Sequence, residues 1–600
     1  MIDAASQASC FGTMPFSHDI IADLDQRLRQ HAADLEELGA DFEPQVRVAD
    51  PRYGDYQANG ILPHAKRVGK NPRKLAESFL EHLRQQEAFS EDTVELSVAG
   101  PGFLNFRLTA SARVSWLQTN PNLEPDVCAA AKPLSRKRVV IDFSSPNTAK
   151  QMHVGHIRST VIGEAISRML EYCGAQTIRD NHIGDWGTQF GILLLGIKRS
   201  GWDPEQAGER PIAELESIYR KIQAEAKEDD EVMQAARNEL LKLQQGEAEN
   251  ETLWKRINEL SWQQFENAYQ QLGVRFDHVL GESFYRDRVD RVYRELLELE
   301  IAQEDEGALV VFHPEHPRFC KQPMVIRKKD GASNYASTDL ATVLYRVEHF
   351  RADAIIYLTD SRQNDHFEQL FLTIRKWFQA KEYPVPELRH LTFGTILGED
   401  GKAIKTRSGE PVTLHELLSE AIQRAETIVT EKHPEYEDSE RRNIAGRIGV
   451  NALRYADLMQ NRNTDYSFSW QKMLSFEGNT APYLLYAVAR IHSLFRKAGR
   501  NPDEENQPLA PLTTDEENLL ARQLMSFPQA VNQALQEYEP HHICQALYEL
   551  ACVFSTFYNK NPIIGKEPEV ENTRLLLCSR TLKTMQTGLR LLGIEPLERM

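Results

Sequence analysis

The sequence predicts an α/β protein: a doubly wound parallel sheet, preceded by an α+β module and followed by an all-helical region. Three observations predict it. Short apolar runs at 139–143, 354–358 and 391–397 have the make-up of buried parallel strands, with helical sequence nearby. Residues 1 to about 125 carry turn, strand and helix signals of their own. From about 414 to 600 apolar residues recur at three- and four-residue steps almost throughout.

Composition narrows the function classes. The chain has 600 residues, 41% hydrophobic and 26% charged, ordinary for a multidomain globular protein. No apolar run approaches the ~18 residues of a membrane span. The first 23 residues lack an apolar core flanked by basic residues, so no signal peptide is expected and a cytoplasmic home follows. None of the seven cysteines stands in a Cys-x-x-Cys pair, which argues against a disulfide framework and a structural zinc. The net charge is −18, so a nucleic-acid partner would be held by local basic faces rather than by a global field.

Taken in order, Asn71-Pro72 predicts a helix start, because Asn caps well and Pro suits the first helical position. Gly100-Pro101-Gly102 predicts a turn leading into a short strand up to Leu108. After the strand at 139–143 comes a polar loop and then a helix from about His156 to Cys173, with Gly174 as its cap. The Gln-rich charged stretch from about 211 to 273 reads as a helical insertion outside the sheet, a solvated hairpin without chemistry. In the last region Leu484, Leu485, Val488, Ile491 and Phe495 form an apolar stripe, and Arg490, Arg496, Lys497 and Arg500 a basic patch on the other side. The expected domains are 1–125, 126–413 and 414–600.

The segment Ser144-Ser145-Pro146-Asn147-Thr148-Ala149-Lys150-Gln151-Met152-His153-Val154-Gly155-His156 decides the class. Two histidines flank a glycine where a strand gives way to a helix. The glycine lets a purine approach the backbone, and the imidazoles and free helix N–H groups can donate to a polyphosphate.

This segment resembles the His-Ile-Gly-His signature of class I aminoacyl-tRNA synthetases, and its longer form is similar to arginyl-tRNA synthetases. The similarity extends to Gly184-Asp185-Trp186-Gly187, Gly281-Glu282-Ser283, Tyr335-Ala336-Ser337-Thr338-Asp339, Asp360-Ser361-Arg362-Gln363 and Phe476-Glu477-Gly478-Asn479. The second class signature, Lys-Met-Ser-Lys-Ser, is absent. In its place stands Gly401-Lys402-Ala403-Ile404-Lys405-Thr406-Arg407-Ser408. One alignment sets Lys402 and Lys405 on the two signature lysines; another sets Thr406 on the second.

The resemblance implies a Rossmann-type catalytic domain and an ATP-dependent ligase joining L-arginine to tRNA(Arg). His153, His156, Lys150 and Lys405 would be catalytic, and Gly155, Lys402 and Arg407 would join them in binding ATP, which brings Mg²⁺. It assigns arginine to Asn147, Glu282, Tyr335, Asp339 and Gln363, with Tyr335 closing the pocket. It makes the helical region an anticodon-binding bundle, with Tyr483, Tyr486, Arg490, Phe557 and Tyr558 as candidates. The amino-terminal module would meet the tRNA elbow through Phe103 and Asn105, or Phe103 is simply a buried turn residue. A monomer is implied. The readings weighed against this one are a non-catalytic synthetase-like RNA-binding protein, a synthetase for another amino acid, and a cofactor-making nucleotidyltransferase.

Overall fold

The computed structural model describes residues 16–120, 134–206, 208, 210–329, 331–402, 404, 412–504 and 507–600. The chain divides into two compact units. One comprises Met1–Ser135 with Leu474–Met600 and the short stretch Tyr172–Gly174; the other comprises Arg136–Glu171 and Ala175–Met473.

In the first unit, strands β1 (Val46–Val48), β2 (Tyr56–Ala58), β3 (Val94–Ala99) and β4 (Phe103–Leu108) form an antiparallel sheet in the order β1-β2-β4-β3. The helix Pro72–Leu83 begins as its sequence predicts: the Asn71 side chain accepts from Lys74 N, and Pro72 occupies the first turn. This module packs with the carboxy-terminal helices. Asp55 is buried and pairs with Arg113 at 2.9 Å, while Arg113 Nη1 donates to Asn518 at 2.6 Å and Arg522 Nη2 to the Ala49 carbonyl at 2.7 Å. Arg580 Nε donates to the Leu117 carbonyl at 2.6 Å. The predicted apolar stripe lies on the helix Ala481–Ala498, with Leu484, Leu485, Val488, Ile491 and Phe495 all buried.

The second unit holds a five-stranded parallel sheet. Its strands are β5 (Arg138–Asp142), β6 (Gln176–Asn181), β7 (His278–Val279), β11 (Ala354–Asp360) and β12 (Glu387–Phe393), in the order β12-β11-β5-β6-β7. Between them in sequence, β8 (Ala302–Asp305), β9 (Ala308–Val311) and β10 (Met324–Arg327) make a separate antiparallel sheet. From β5 the chain winds outward one way to β6 and β7, then returns on the other side as β11 and β12. The strand order therefore reverses between β5 and β11, the place where open α/β sheets bind ligands. Gly163, on the helix Gly155–Tyr172 that follows β5, lies against Phe143. A Cβ there would come within 2.3 Å of the ring, so only glycine allows this helix to pack so close.

Two regions differ from expectation. The 211–273 insertion is three helices, Pro211–Glu228, Asp230–Gln244 and Ala248–Leu272, rather than a solvated hairpin; Ile212, Leu215, Leu243, Ile257 and Phe265 are buried. The helices Leu414–Lys432 and Asp438–Leu458 belong to the unit of the parallel sheet, not to that of the later helices. A buried ion pair, Arg158 to Asp457 at 3.2 Å, joins the second of them to the helix after β5.

Candidate active site and nucleic-acid interface

The loop after β5 is conformationally costly. Ser144, Ser145 and Ala149 have φ values of 73°, 45° and 59°, a left-handed region that side chains with a Cβ seldom adopt. A dense polar scaffold holds it. Ser144 N donates to Ser159 Oγ at 2.8 Å and Ser145 N to Asn181 Oδ1 at 3.1 Å. The insertion supplies two further supports. Ser144 Oγ and Tyr269 Oη share a hydrogen bond at 2.8 Å, and Ala149 N donates to Ser261 Oγ at 2.9 Å. The insertion therefore braces the functional loop, a role that its charged, Gln-rich sequence does not advertise.

At the end of the loop the rings of His153 and His156 stand 4.1 Å apart. Gly155 N donates to His153 Nδ1 and His153 N to His156 Nδ1, both at 3.1 Å. His153 Nδ1 is thus an acceptor, which leaves its Nε2 as the protonated donor of a neutral ring, while His156 Nδ1 lies between His153 N and the His153 carbonyl, the latter at 3.3 Å. Burial lowers both pKa values: His156 falls to about 4, helped by His153, and His153 falls despite the carboxylate of Glu216. At neutral pH the pair is two uncharged N–H donors. Lys150 lies with its ammonium 5.5 Å from the centre of the Tyr219 ring.

The segment Val412–Leu414 pairs with this loop. Val154 N donates to the Val412 carbonyl at 3.0 Å and Leu414 N to the Met152 carbonyl at 2.8 Å. The Lys402 carbonyl accepts from Gly398 N at 2.6 Å, and its side chain is exposed. Lys405 and Arg407 lie outside the described residues.

A second cluster is acidic. Asp339, on the first turns of the helix Tyr335–Glu348, accepts from His366 Nε2 at 2.6 Å, and its other oxygen lies 3.9 Å from His182 Nε2. Burial pushes this carboxyl up, but the His366 bond and the two histidines prevail, and it sits below the ordinary aspartate value. Glu282 opens a short helix after β7 and has the opposite balance. Burial raises it to about 7, opposed by His182 and reinforced by Asp339 and Asp185. Asp185 is occupied, accepting from Ser283 N at 2.8 Å and Ser283 Oγ at 2.6 Å. The Tyr335 ring meets His366 edge-on at 4.7 Å yet is 62% exposed, so it stands at the rim of this cluster rather than over it.

Asn147 and Gln363 are both exposed. Asn147 pairs with Gly184 in a parallel bridge, and a Cβ on Gly184 would lie 2.1 Å from Asn147 Oδ1. Gln363 closes the turn Ser361–Gln363 at the end of β11. The structure thus brings Glu282 and Asp339 together with three residues that no sequence signal singled out, His182, His366 and Asp185. Gly184-Asp185 was visible only as part of a longer similar string.

In the first unit, Arg490 lies between two aromatic rings, its guanidinium carbon 4.7 Å from the centre of Tyr486 and 5.6 Å from that of Tyr558. Tyr483 Oη approaches Cys552 Sγ at 3.9 Å and its ring meets Tyr548 at 5.9 Å. Phe557 is fully buried and belongs to the core, so it offers no stacking face. Phe103 is half-buried; Asn105 is buried, its side-chain Oδ1 accepting from Gln57 Nε2 at 2.7 Å.

Known proteins share this arrangement. A family described as tRNA synthetases class I (R), catalytic domain, matches residues 122–470. An Arginyl tRNA synthetase N terminal domain matches 21–108, and a DALR anticodon binding domain matches 484–600. An arginine–tRNA ligase of Escherichia coli K12 is 43% identical over 569 residues, spanning 94% of this chain and 96% of that protein. The crystal structure of arginyl-tRNA synthetase from Plasmodium falciparum superposes with a TM-score of 0.81 at 28% identity, covering 98% of this chain and 100% of that one. The Thermus thermophilus arginyl-tRNA synthetase does so with a TM-score of 0.80 at 27% identity, covering 96% and 100%. With its histidine pair at the strand-order reversal and its catalytic, amino-terminal and anticodon-binding segments all matched, the chain belongs to the arginyl-tRNA synthetases of class I.

Proposed function

The chain is an arginine–tRNA ligase, and we propose that its arginine pocket is the Glu282–Asp339 cluster and its ATP site the loop Asn147–His156. The observation that carries the pocket is the pairing of a buried carboxylate held ionised by His366 with a second carboxyl, Glu282, that makes no ion pair among the described residues. A guanidinium supplies what this site lacks: a permanent, planar positive charge with several donors. Asn147 takes the α-amino or carboxylate end of the amino acid in this reading. Tyr335 and Gln363 border the pocket.

In the first step an arginine carboxylate oxygen attacks the α-phosphorus of ATP, and the bond to the bridging oxygen of diphosphate breaks. Such a transfer needs alignment and charge stabilisation more than covalent help. The ring N–H groups of His153 and His156 donate to the polyphosphate, and Lys150 adds a positive charge. Lys402, with Lys405 and Arg407 of the same loop, completes the cation set for ATP, which arrives as its Mg²⁺ complex. In the second step the terminal ribose hydroxyl of tRNA(Arg) attacks the carbonyl carbon of the mixed anhydride, and AMP leaves.

Arg490 with Tyr486, Tyr558 and Tyr483 forms a stacking platform for unpaired anticodon bases. Phe103, at the exposed end of its hairpin, meets the tRNA elbow, and Asn105 supports it from within the sheet. The reading takes the protein as a cytoplasmic monomer; among the described residues no helix is long and apolar enough to cross a membrane.

The test is to charge total tRNA with each of the twenty amino acids in turn, using ATP and Mg²⁺. Arginine alone should be incorporated. Charging with another amino acid would overturn the pocket, and no charging by folded protein would favour the non-catalytic relative.

A further inference from the structure

Two helices of the amino-terminal module end near one another. Ile20–Ala33 carries His31 in its last turn and Asp34 as its C-cap, and Pro72–Leu83 carries His82 in its last turn. One donor atom from each of His31, Asp34 and His82 lies within 4.8 Å of the others. Two ligands on one tetrahedral zinc ion stand about 3.4 Å apart, so donors at the outer limit need to close by about 1.4 Å, within reach of side-chain rotation.

The surroundings suit a cation. His82 Nε2 is buried with no hydrogen-bond partner among the described residues, which costs about 1–3 kcal/mol unless something satisfies it. The two imidazoles meet edge-on, with centroids 5.9 Å apart, and Phe89 backs His31 at 6.0 Å. Both helices point their carbonyl ends, the negative pole of the dipole, toward this place. Arg27 is the cation nearby, and it is already paired with Asp23 at 2.8 Å.

We propose that His31, Asp34 and His82 form a binding site for one divalent transition-metal ion of the zinc or nickel class, with water completing its shell. Two imidazoles and one carboxylate favour such ions over Mg²⁺ or Ca²⁺, which prefer all-oxygen ligands. The site uses no cysteine, so it is distinct from the zinc knuckle that the cysteine spacing argued against. Bound metal would tie together the ends of two helices 51 positions apart in sequence.

The experiment is calorimetric titration of the metal-stripped full-length protein with Zn²⁺ at neutral pH. One equivalent should bind. His82→Ala and His31→Ala should each weaken that binding by more than about tenfold, the loss that removing even an outer-shell partner causes. Asp34 is exposed, so Asp34→Asn will fold and should weaken binding as well. Co²⁺ in place of Zn²⁺ should give ligand-field absorption in the unmodified protein that is lost in these variants. A second group of potential ligands, Glu539, His541 and His542, provides the control. The proposal is overturned by absence of saturable binding, by binding that survives all three substitutions, or by binding that is lost instead in His542→Ala.

Discussion

Burial, reinforced by Asp339 and Asp185 and opposed by His182, brings the Glu282 carboxyl to about 7. Those three are the titratable groups that face it. Asp339 is held below its ordinary value and stays ionised throughout. An arginine guanidinium is always protonated and pairs with the carboxylate form. With a pKa of about 7, roughly one Glu282 in eleven is ionised at pH 6 and ten in eleven at pH 8. The kcat/KM for arginine should therefore drop about tenfold from pH 8 to pH 6, equivalent to about 1.4 kcal/mol. Steady-state aminoacylation at saturating ATP and tRNA measures it.

Glu282→Gln should remove this acidic limb and lower kcat/KM at pH 8 by about 10- to 100-fold, the worth of a charge-assisted bond, with the KM for ATP unchanged. A stability signature accompanies it. The folded carboxyl sits at about 7 against the ordinary 4.5, so ionised Glu282 costs the fold up to about 3 kcal/mol above pH 7. That cost fades as pH falls and vanishes below about 4.5, where the carboxyl is protonated in both states. Glu282→Gln should thus stabilise the protein at pH 8 and have little effect near pH 4.5. An arginine kcat/KM that is flat from pH 6 to 8, or an acidic limb unchanged in the variant, would refute the reasoning.

Three further outcomes are expected. His366→Ala should raise the KM for arginine about 10- to 100-fold while sparing that for ATP, because Asp339 loses its 2.6 Å donor; His366→Gln, which can still donate, should recover part of the loss. Arg158→Met should cost about 3–5 kcal/mol in chemical unfolding by leaving Asp457 charged and buried, and the double variant Arg158→Met with Asp457→Leu should recover much of it. Tyr558→Ala should raise the KM for tRNA by the worth of one stacked base, about 1–3 kcal/mol, with stability kept; its neighbour Phe557→Ala should instead destabilise the fold by about 3–5 kcal/mol.

The elements that sequence reading recovers are those with local causes. Strand β5 is a continuous apolar run because both faces of a central parallel strand are covered. The Asn71-Pro72 start and the stripe from Leu484 to Phe495 follow from capping and from helical period. Strand β12 is the instructive exception. It begins at Glu387, four residues before the apolar run suggested, because as an edge strand it exposes Glu387 and Arg389 and buries Leu388 and Leu391. Its exposed polar positions hide what an interior strand displays.

The site divides along the same line. His153, Gly155 and His156 sit within four residues, so their spacing alone suggested a polyphosphate at a helix start. Glu282 and Asp339 are 57 positions apart, and each by itself reads as an ordinary acid; resemblance singled them out. Nothing local marked His366, His182, Tyr269 or the ring of His82 whose Nε2 is left buried. The sequence by itself determined the strand-loop-helix that carries the histidine pair and the periodic helices that follow the sheet, because hydrogen bonds and apolar period act between near neighbours. Which carboxyl is ionised, which ring supports it and which loop is braced were decided only by the tertiary structure, because desolvation and charge depend on groups that the fold brings together from distant parts of the chain.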